Sequence, residues 1–229
     1  MIKKKIIISI IVVIVVAVIS AGAWFWFNQE KENNLEEPIP NEGQSSEEPI
    51  PNEGQSSGEP EFYSEQYNLD SIKNVEGITS EMLEQYKDKF IEYQDKLEEA
   101  IKNYEKNGKK VEEKPNPDFF IEKARYSNYL GQTDWAIDIL NSVFDYYQNS
   151  SVAWNNLAKL YEEKEDYTKA NEYYFKIINT FGEKQFWGQY YYVTKNYMAL
   201  GDKEKVKEYY AKYKSLGGQD SEIEDYLTK

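Results

Sequence analysis

The chain has 229 residues, with 41 acidic against 27 basic side chains and a formal net charge of −14. It contains no cysteine and no histidine, which excludes disulfides, thiol nucleophiles, His-based acid–base chemistry, Ser–His triads and His-containing zinc sites. The acidity also argues against nonspecific nucleic-acid binding, because phosphates need a net basic surface. The 21 tyrosines and 10 phenylalanines point to a core built from large aromatic rings.

Lys3, Lys4 and Lys5 precede an apolar run, Ile6–Phe27, that carries no charge. At ~1.5 Å per residue it reaches roughly 33 Å as a helix, enough to cross a hydrocarbon core. Glu30 and Glu32 follow it. The positive-inside bias therefore predicts residues 1–5 in the cytoplasm, 6–27 as a single-pass anchor in the cell membrane, and everything after Phe27 extracytoplasmic. Trp24 and Trp26 stand at the outer end, where indoles favour the interface. The alternative is a signal peptide cleaved near Ala23, since Ala21-Gly22-Ala23 has the small-x-small form, leaving a secreted protein. Against cleavage, the run continues through to Phe27 and would leave four exposed aromatic residues at the new terminus. With no cysteine, a lipoprotein anchor is excluded.

Residues 28–61 are low in complexity. Glu36–Ser46 reads EEPIPNEGQSS, and Glu47–Ser57 repeats it letter for letter. Such a segment buries too little apolar surface to offset chain entropy. It reads as a disordered acidic linker, its duplication a way of setting length.

Residues 62–116 form an N-terminal helical segment. Phe62, Tyr63, Tyr67, Leu69 and Ile72 give either a short helix or an irregular packing stretch. Thr79 or Ser80 then caps a helix running to about Asn107, with Glu81 and Glu84 in its first turn. Leu83, Tyr86, Phe90, Tyr93, Leu97, Ala100 and Tyr104 follow one another in steps of three and four, as a heptad seam does. Tyrosines where coiled coils prefer Leu or Ile favour packing within the domain. A coiled-coil homodimer through helix 80–107 is the alternative. Gly108 ends the helix.

From Pro117 onward a pattern repeats. Trp154, Leu157, Ala158 and Tyr161 make one helix face; Asp166 and Tyr167 mark a turn; Ala170, Tyr174 and Ile177 make a second face. Thirty-four residues earlier stand Phe120 and Ala124, then Gly131, then Ala136, Leu140 and Val143. Thirty-six residues later stand Tyr190, Val193, Thr194 and Tyr197, then Gly201-Asp202, then Val206, Tyr210 and Tyr213. Position eight is small in each copy (Ala124, Ala158, Thr194), so paired helices can approach closely.

These three copies, 117–150, 151–184 and 187–220, resemble the tetratricopeptide repeat, whose pattern is W-x2-L-G-x2-Y and then A-x3-F over 34 residues. The first copy departs from it, with Lys123 where Leu is expected and Ser127 where Tyr is expected. None has the usual late proline; Gln148, Gly182 and Gly218 stand there, the two glycines suited to left-handed helix caps. Two extra residues around Gly182–Trp187 separate copies two and three. The resemblance implies an all-α fold, a short right-handed solenoid of about three helical hairpins. A long N-terminal helix caps it at one end, and residues 221–229, with Asp220 or Ser221 as N-cap and Ile223, Tyr226 and Leu227 as anchors, cap it at the other.

In that family the first helix of each hairpin lines a groove that receives peptide segments. The resemblance thus implies Arg125 and Asn128 in copy one, Asn155, Asn156 and Lys159 in copy two, and Tyr191, Tyr192 and Lys195 in copy three as groove residues. Arg125, the only arginine, shares register position nine with Lys159 and Lys195. Such a column could receive carboxylates, and the two asparagines a peptide backbone. The competing reading is a solvated helix face, with Lys159 paired to Glu162 or Glu163. No catalytic residue, cofactor motif or metal motif stands out. The expected function is a membrane-anchored extracytoplasmic scaffold for protein–protein interaction, not an enzyme. Its partner would be a protein or peptide, with no nucleic acid; a structural stalk that oligomerises through helix 80–107 is the alternative.

Overall fold

The structure, a computed structural model, describes residues 67–229. The expected anchor at 6–27, the linker at 28–61, and Phe62 and Tyr63 lie outside the described residues. Among the described residues no helix is long and apolar enough to cross a membrane.

The described chain is all-α. Its helices are α1 (Ser80–Lys106), α2 (Pro117–Tyr129), α3 (Thr133–Asn141), α4 (Ser151–Glu163), α5 (Tyr167–Phe181), α6 (Gln189–Ala199), α7 (Lys203–Ser215) and α8 (Ser221–Thr228). Short 3-10 turns stand at Leu69–Ser71, Val111–Glu113 and Ser142–Asp145. Most helix starts are written in the sequence as side-chain caps. Thr79 accepts from Met82 N at 3.2 Å, Asn116 from Asp118 N at 2.9 Å with Pro117 in the first turn, and Ser150 from Ala153 N at 3.2 Å. Asp166, Asp202 and Asp220 do the same for α5, α7 and α8. Each cap satisfies a backbone N–H that the helix itself leaves without a partner.

The helices pack in chain order: α1 on α2, then the pairs α2–α3, α4–α5 and α6–α7, with α3 on α4, α5 on α6, and α8 closing on α7. The pairs share a register. Phe120, Ala124, Ala136, Leu140 and Val143 are buried in the first; Trp154, Leu157, Ala158, Ala170, Tyr174 and Ile177 in the second; Tyr190, Val193, Thr194, Val206 and Tyr210 in the third. Ile223 of α8 is fully buried against Val206 and Tyr210, with Tyr226 and Leu227 beside it. Each turn within a pair carries one left-handed residue at the same register: Gly131, Glu165 and Gly201.

Two details differ from the sequence expectation. The second helix of the first pair stays α-helical only to Asn141 and continues as the 3-10 turn that buries Val143. At the end of α7 the left-handed residue is Gly217 (φ +103°), not Gly218. Gly218 serves close approach instead, because a Cβ there would fall 2.3 Å from the Tyr213 ring. Residues 67–72 take the second of the two expected forms, an irregular packing stretch: Tyr67 and Ile72 are buried around the short 3-10 turn Leu69–Ser71.

The seam of α1 is satisfied within the chain. Leu83, Phe90 and Leu97 are buried. Tyr86 packs on Tyr126 and Tyr129, Tyr93 stacks on Tyr126 at 5.9 Å, and Tyr104 meets Tyr146 edge-on. Tyrosines suit this role because their rings bury area while their hydroxyls reach water.

Candidate functional site

The first helices of the pairs, α2, α4 and α6, are linked side by side by polar side chains. Asn128 Nδ2 donates to Glu163 Oε2 at 2.8 Å, joining α2 to α4. Gln189 Nε2 donates to Asn155 Oδ1 at 3.5 Å, joining α6 to α4. Lys195 Nζ donates to Glu222 Oε2 at 2.7 Å, joining α6 to α8. On α4, at ~100° per residue, Asn155 and Glu162 turn toward α6, Asn156 and Glu163 turn toward α2, and Lys159 falls between them. Lys159 is thus the midpoint of a face on which Arg125 and Lys195 hold the same register.

All three cations have carboxylates of this chain around them. Arg125 pairs with Glu122, three residues earlier on α2. Lys195 pairs with Glu222 of α8. Lys159 is half-buried, and that burial lowers its pKa, while Glu162 and Glu163 pull it back up. The face carries alternating charge rather than a bare positive stripe.

The amides divide. Asn128 is engaged at both ends, since its Oδ1 accepts from Thr133 Oγ1 at 2.9 Å. Asn155 takes the bond from Gln189 described above. Asn156 is only 5% exposed, and its Oδ1 and Nδ2 are enclosed with no hydrogen-bond partner. The structure places Asn156 inside the packing rather than on the open face. The tyrosines form a run of half-buried rings. Tyr192 stacks on Tyr174 at 5.2 Å and touches Tyr191; Tyr191 packs on Tyr213, and Tyr213 on Trp187.

Sequence reasoning missed a polar junction behind this face, where α4, α5 and α6 meet. The Glu162 carboxylate faces Asn196 and Tyr174, and desolvation raises its pKa. Asn196 Nδ2 donates to Asn171 Oδ1 at 3.0 Å, with both residues buried. The Tyr174 hydroxyl is enclosed, completes no hydrogen bond of normal geometry, and resists ionisation through burial and the neighbouring Glu162 charge. A signal existed: Asn196 stands where the second copy has the apolar Leu160.

A second feature, visible in the sequence only as a departure from the repeat, is Lys123, which takes the leucine position of the first copy. It is 2% exposed, with its Nζ 4.7 Å from the centre of the Tyr67 ring and 5.3 Å from that of Phe90. Trp135 closes the group, 5.0 Å from Tyr67 and 6.4 Å from Phe90. Desolvation pushes the Lys123 pKa down to about 8, against an opposing pull from Glu98. Among the described residues no group of three or more acidic side chains converges as a metal-ligand set. No protein-family model and no curated protein matches the chain.

Proposed function

We propose that the helical pairs form a short right-handed solenoid of tetratricopeptide-like hairpins. Residues 6–27 anchor it in the cell membrane, and the linker 28–61 carries it on the extracytoplasmic side. The face of α2, α4 and α6 binds an extended segment of a protein partner. The observation that carries this reading is the shared register of Arg125, Lys159 and Lys195 on three helices tied together by side-chain bonds. A face repeated in this way offers equivalent contacts at regular intervals, which suits an extended chain. Tyr191 and Tyr192 add aromatic surface at one end, where side chains of a partner gain contact area at low entropic cost.

Because the cations are already paired, binding proceeds by exchange: a partner carboxylate replaces Glu122 or Glu222, or a partner amide joins the existing pairs. Such exchange favours moderate affinity and fast release, since exposed pairs contribute only about 0.2–1 kcal/mol each. The face is assigned to binding and not to chemistry, because its charged groups are engaged with one another.

The test is affinity capture with the full chain in detergent, followed by peptide mapping of what is retained. The variant Arg125→Ala/Lys159→Ala/Lys195→Ala should recover the captured partner at least five-fold less well, with unchanged helical content. Equal recovery by a folded triple variant would remove the face from consideration.

A further inference from the structure

We propose that residues 67–72 form a strap latched over Lys123, and that the side-chain amine of Lys123 is a cryptic group uncovered when the strap opens. The strap is the first described stretch of the chain and precedes α1. Its described hold is made by side chains. The Tyr67 ring covers Lys123 Nζ at 4.7 Å and meets Phe90 edge-on at 5.6 Å. Ile72 is buried, and Val75 lies against the α2–α3 turn, within 3.6 Å of where a Cβ on Gly131 would stand. The strap's own backbone bonds are local, Ile72 N to Leu69 O and Ser71 N to Asn68 O. No ladder of main-chain bonds ties it to α1, α2 or α3, so it can lift without breaking a helix.

The position of Lys123 makes the latch specific. The ammonium sits where the other two copies bury Leu157 and Val193. It is held by ring faces: Tyr67 from the strap and Phe90 from α1, with Trp135 of α3 completing the wall. Glu98 of α1 is the charged group that acts on it. Of the two rings that face the amine, only Tyr67 belongs to a segment outside the helices. Removing that ring opens one side of the box while leaving the stack intact.

The test is amine acetylation of the full chain with an N-hydroxysuccinimide acetate, read at each lysine by peptide mass spectrometry. In this reaction the neutral amine forms the N–C bond of the amide, the succinimidyl oxygen leaves, and the released proton goes to buffer. Rates at Lys123 are normalised to exposed Lys102 in the same sample. In the wild type, Lys123 should react at least ten-fold more slowly than Lys102. Tyr67→Ala should raise the Lys123 rate at least ten-fold, and Tyr67→Phe, which keeps the ring, should leave it within two-fold of wild type. A Lys123 rate in Tyr67→Ala within two-fold of wild type would overturn the strap, as would equal exposure in Tyr67→Phe and Tyr67→Ala. Hydrogen exchange on the wild type needs no variant. The Ser71 and Ile72 amides should exchange at least ten-fold faster than those of α4 and α5, as a separately opening unit. Exchange at the same rate as the helical core would overturn the proposal.

Discussion

The first and second helical pairs share one register and fill it with opposite chemistry. Leu157 in α4 is fully buried, and Tyr161 stacks on Tyr173. Thirty-four residues earlier, Lys123 and Ser127 occupy those two positions and are both buried, although Tyr161 itself is half-exposed. Each finds a local answer to its polarity. Ser127 Oγ donates to Gln132 O at 3.0 Å, and the Lys123 ammonium faces two aromatic rings. The difference follows from what lies next door. The second pair is sandwiched between other pairs, while the first meets α1 and the strap, which bring Phe90 and Tyr67. A repeat position is apolar by default, and a charge survives there only where a neighbour outside the repeat supplies ring faces for it.

The largest effect should come from exchanging the chemistries. Leu157→Lys places an ammonium at a fully buried position of the second pair. It should destabilise by about 4 kcal/mol or abolish folding, measured by urea titration. A loss below about 1 kcal/mol would mean that the register tolerates charge without the box.

The reverse change should be favourable. Burying charged Lys123 lowers its pKa from 10.5 to about 8, which corresponds to about 3 kcal/mol at 1.36 kcal/mol per pH unit. Lys123→Leu recovers most of that and loses about 1 kcal/mol of cation–π attraction, so a gain of about 2 kcal/mol at pH 7 is expected. The sign with pH is fixed. Between about 8 and 10.5 the unfolded chain keeps a proton on Lys123 that the folded chain has released, so stability rises with pH across that window. The cost is fully present below about pH 8. Tyr126, Tyr129 and Tyr173 act oppositely, because burial raises their pKa values and the unfolded chain ionises first. The wild-type minus Lys123→Leu difference isolates the lysine, and it should shrink from pH 8 to pH 9.5. A constant difference would show that Lys123 is not titrating in the fold.

The smallest effect concerns Asn156. Its amide is enclosed without partners, and each such group costs about 1 kcal/mol or more. Asn156→Leu should therefore stabilise by about 1 kcal/mol in thermal unfolding. Destabilisation would mean that the amide has a buried water as its partner.

The helical pairs were legible because apolar residues at steps of three and four repeat in the sequence, and because the caps Thr79 and Asp220 and the turn at Asp166 are local events. The candidate face was legible only as a register. Position nine could be read for Arg125, Lys159 and Lys195, and Glu122 stands one turn before Arg125, but the pairing of Lys195 with Glu222 could not be read, because Glu222 lies 27 residues further on and on another helix. Asn155 and Asn156 are adjacent and identical in type, yet one accepts a bond from Gln189 and the other is enclosed. One step of ~100° around the helix separates those fates.

By itself, then, the sequence determined the period, the caps, the all-α class and the aromatic character of the core, since each depends on residues within a turn or two of one another. Only the tertiary structure decided which polar residues are buried and what meets them: Lys123 against Tyr67 and Phe90, Asn196 against Asn171, and the seam of α1 against α2. Those outcomes depend on groups far apart in the chain brought within a few ångströms. Desolvation and its compensation are properties of that neighbourhood rather than of any residue type.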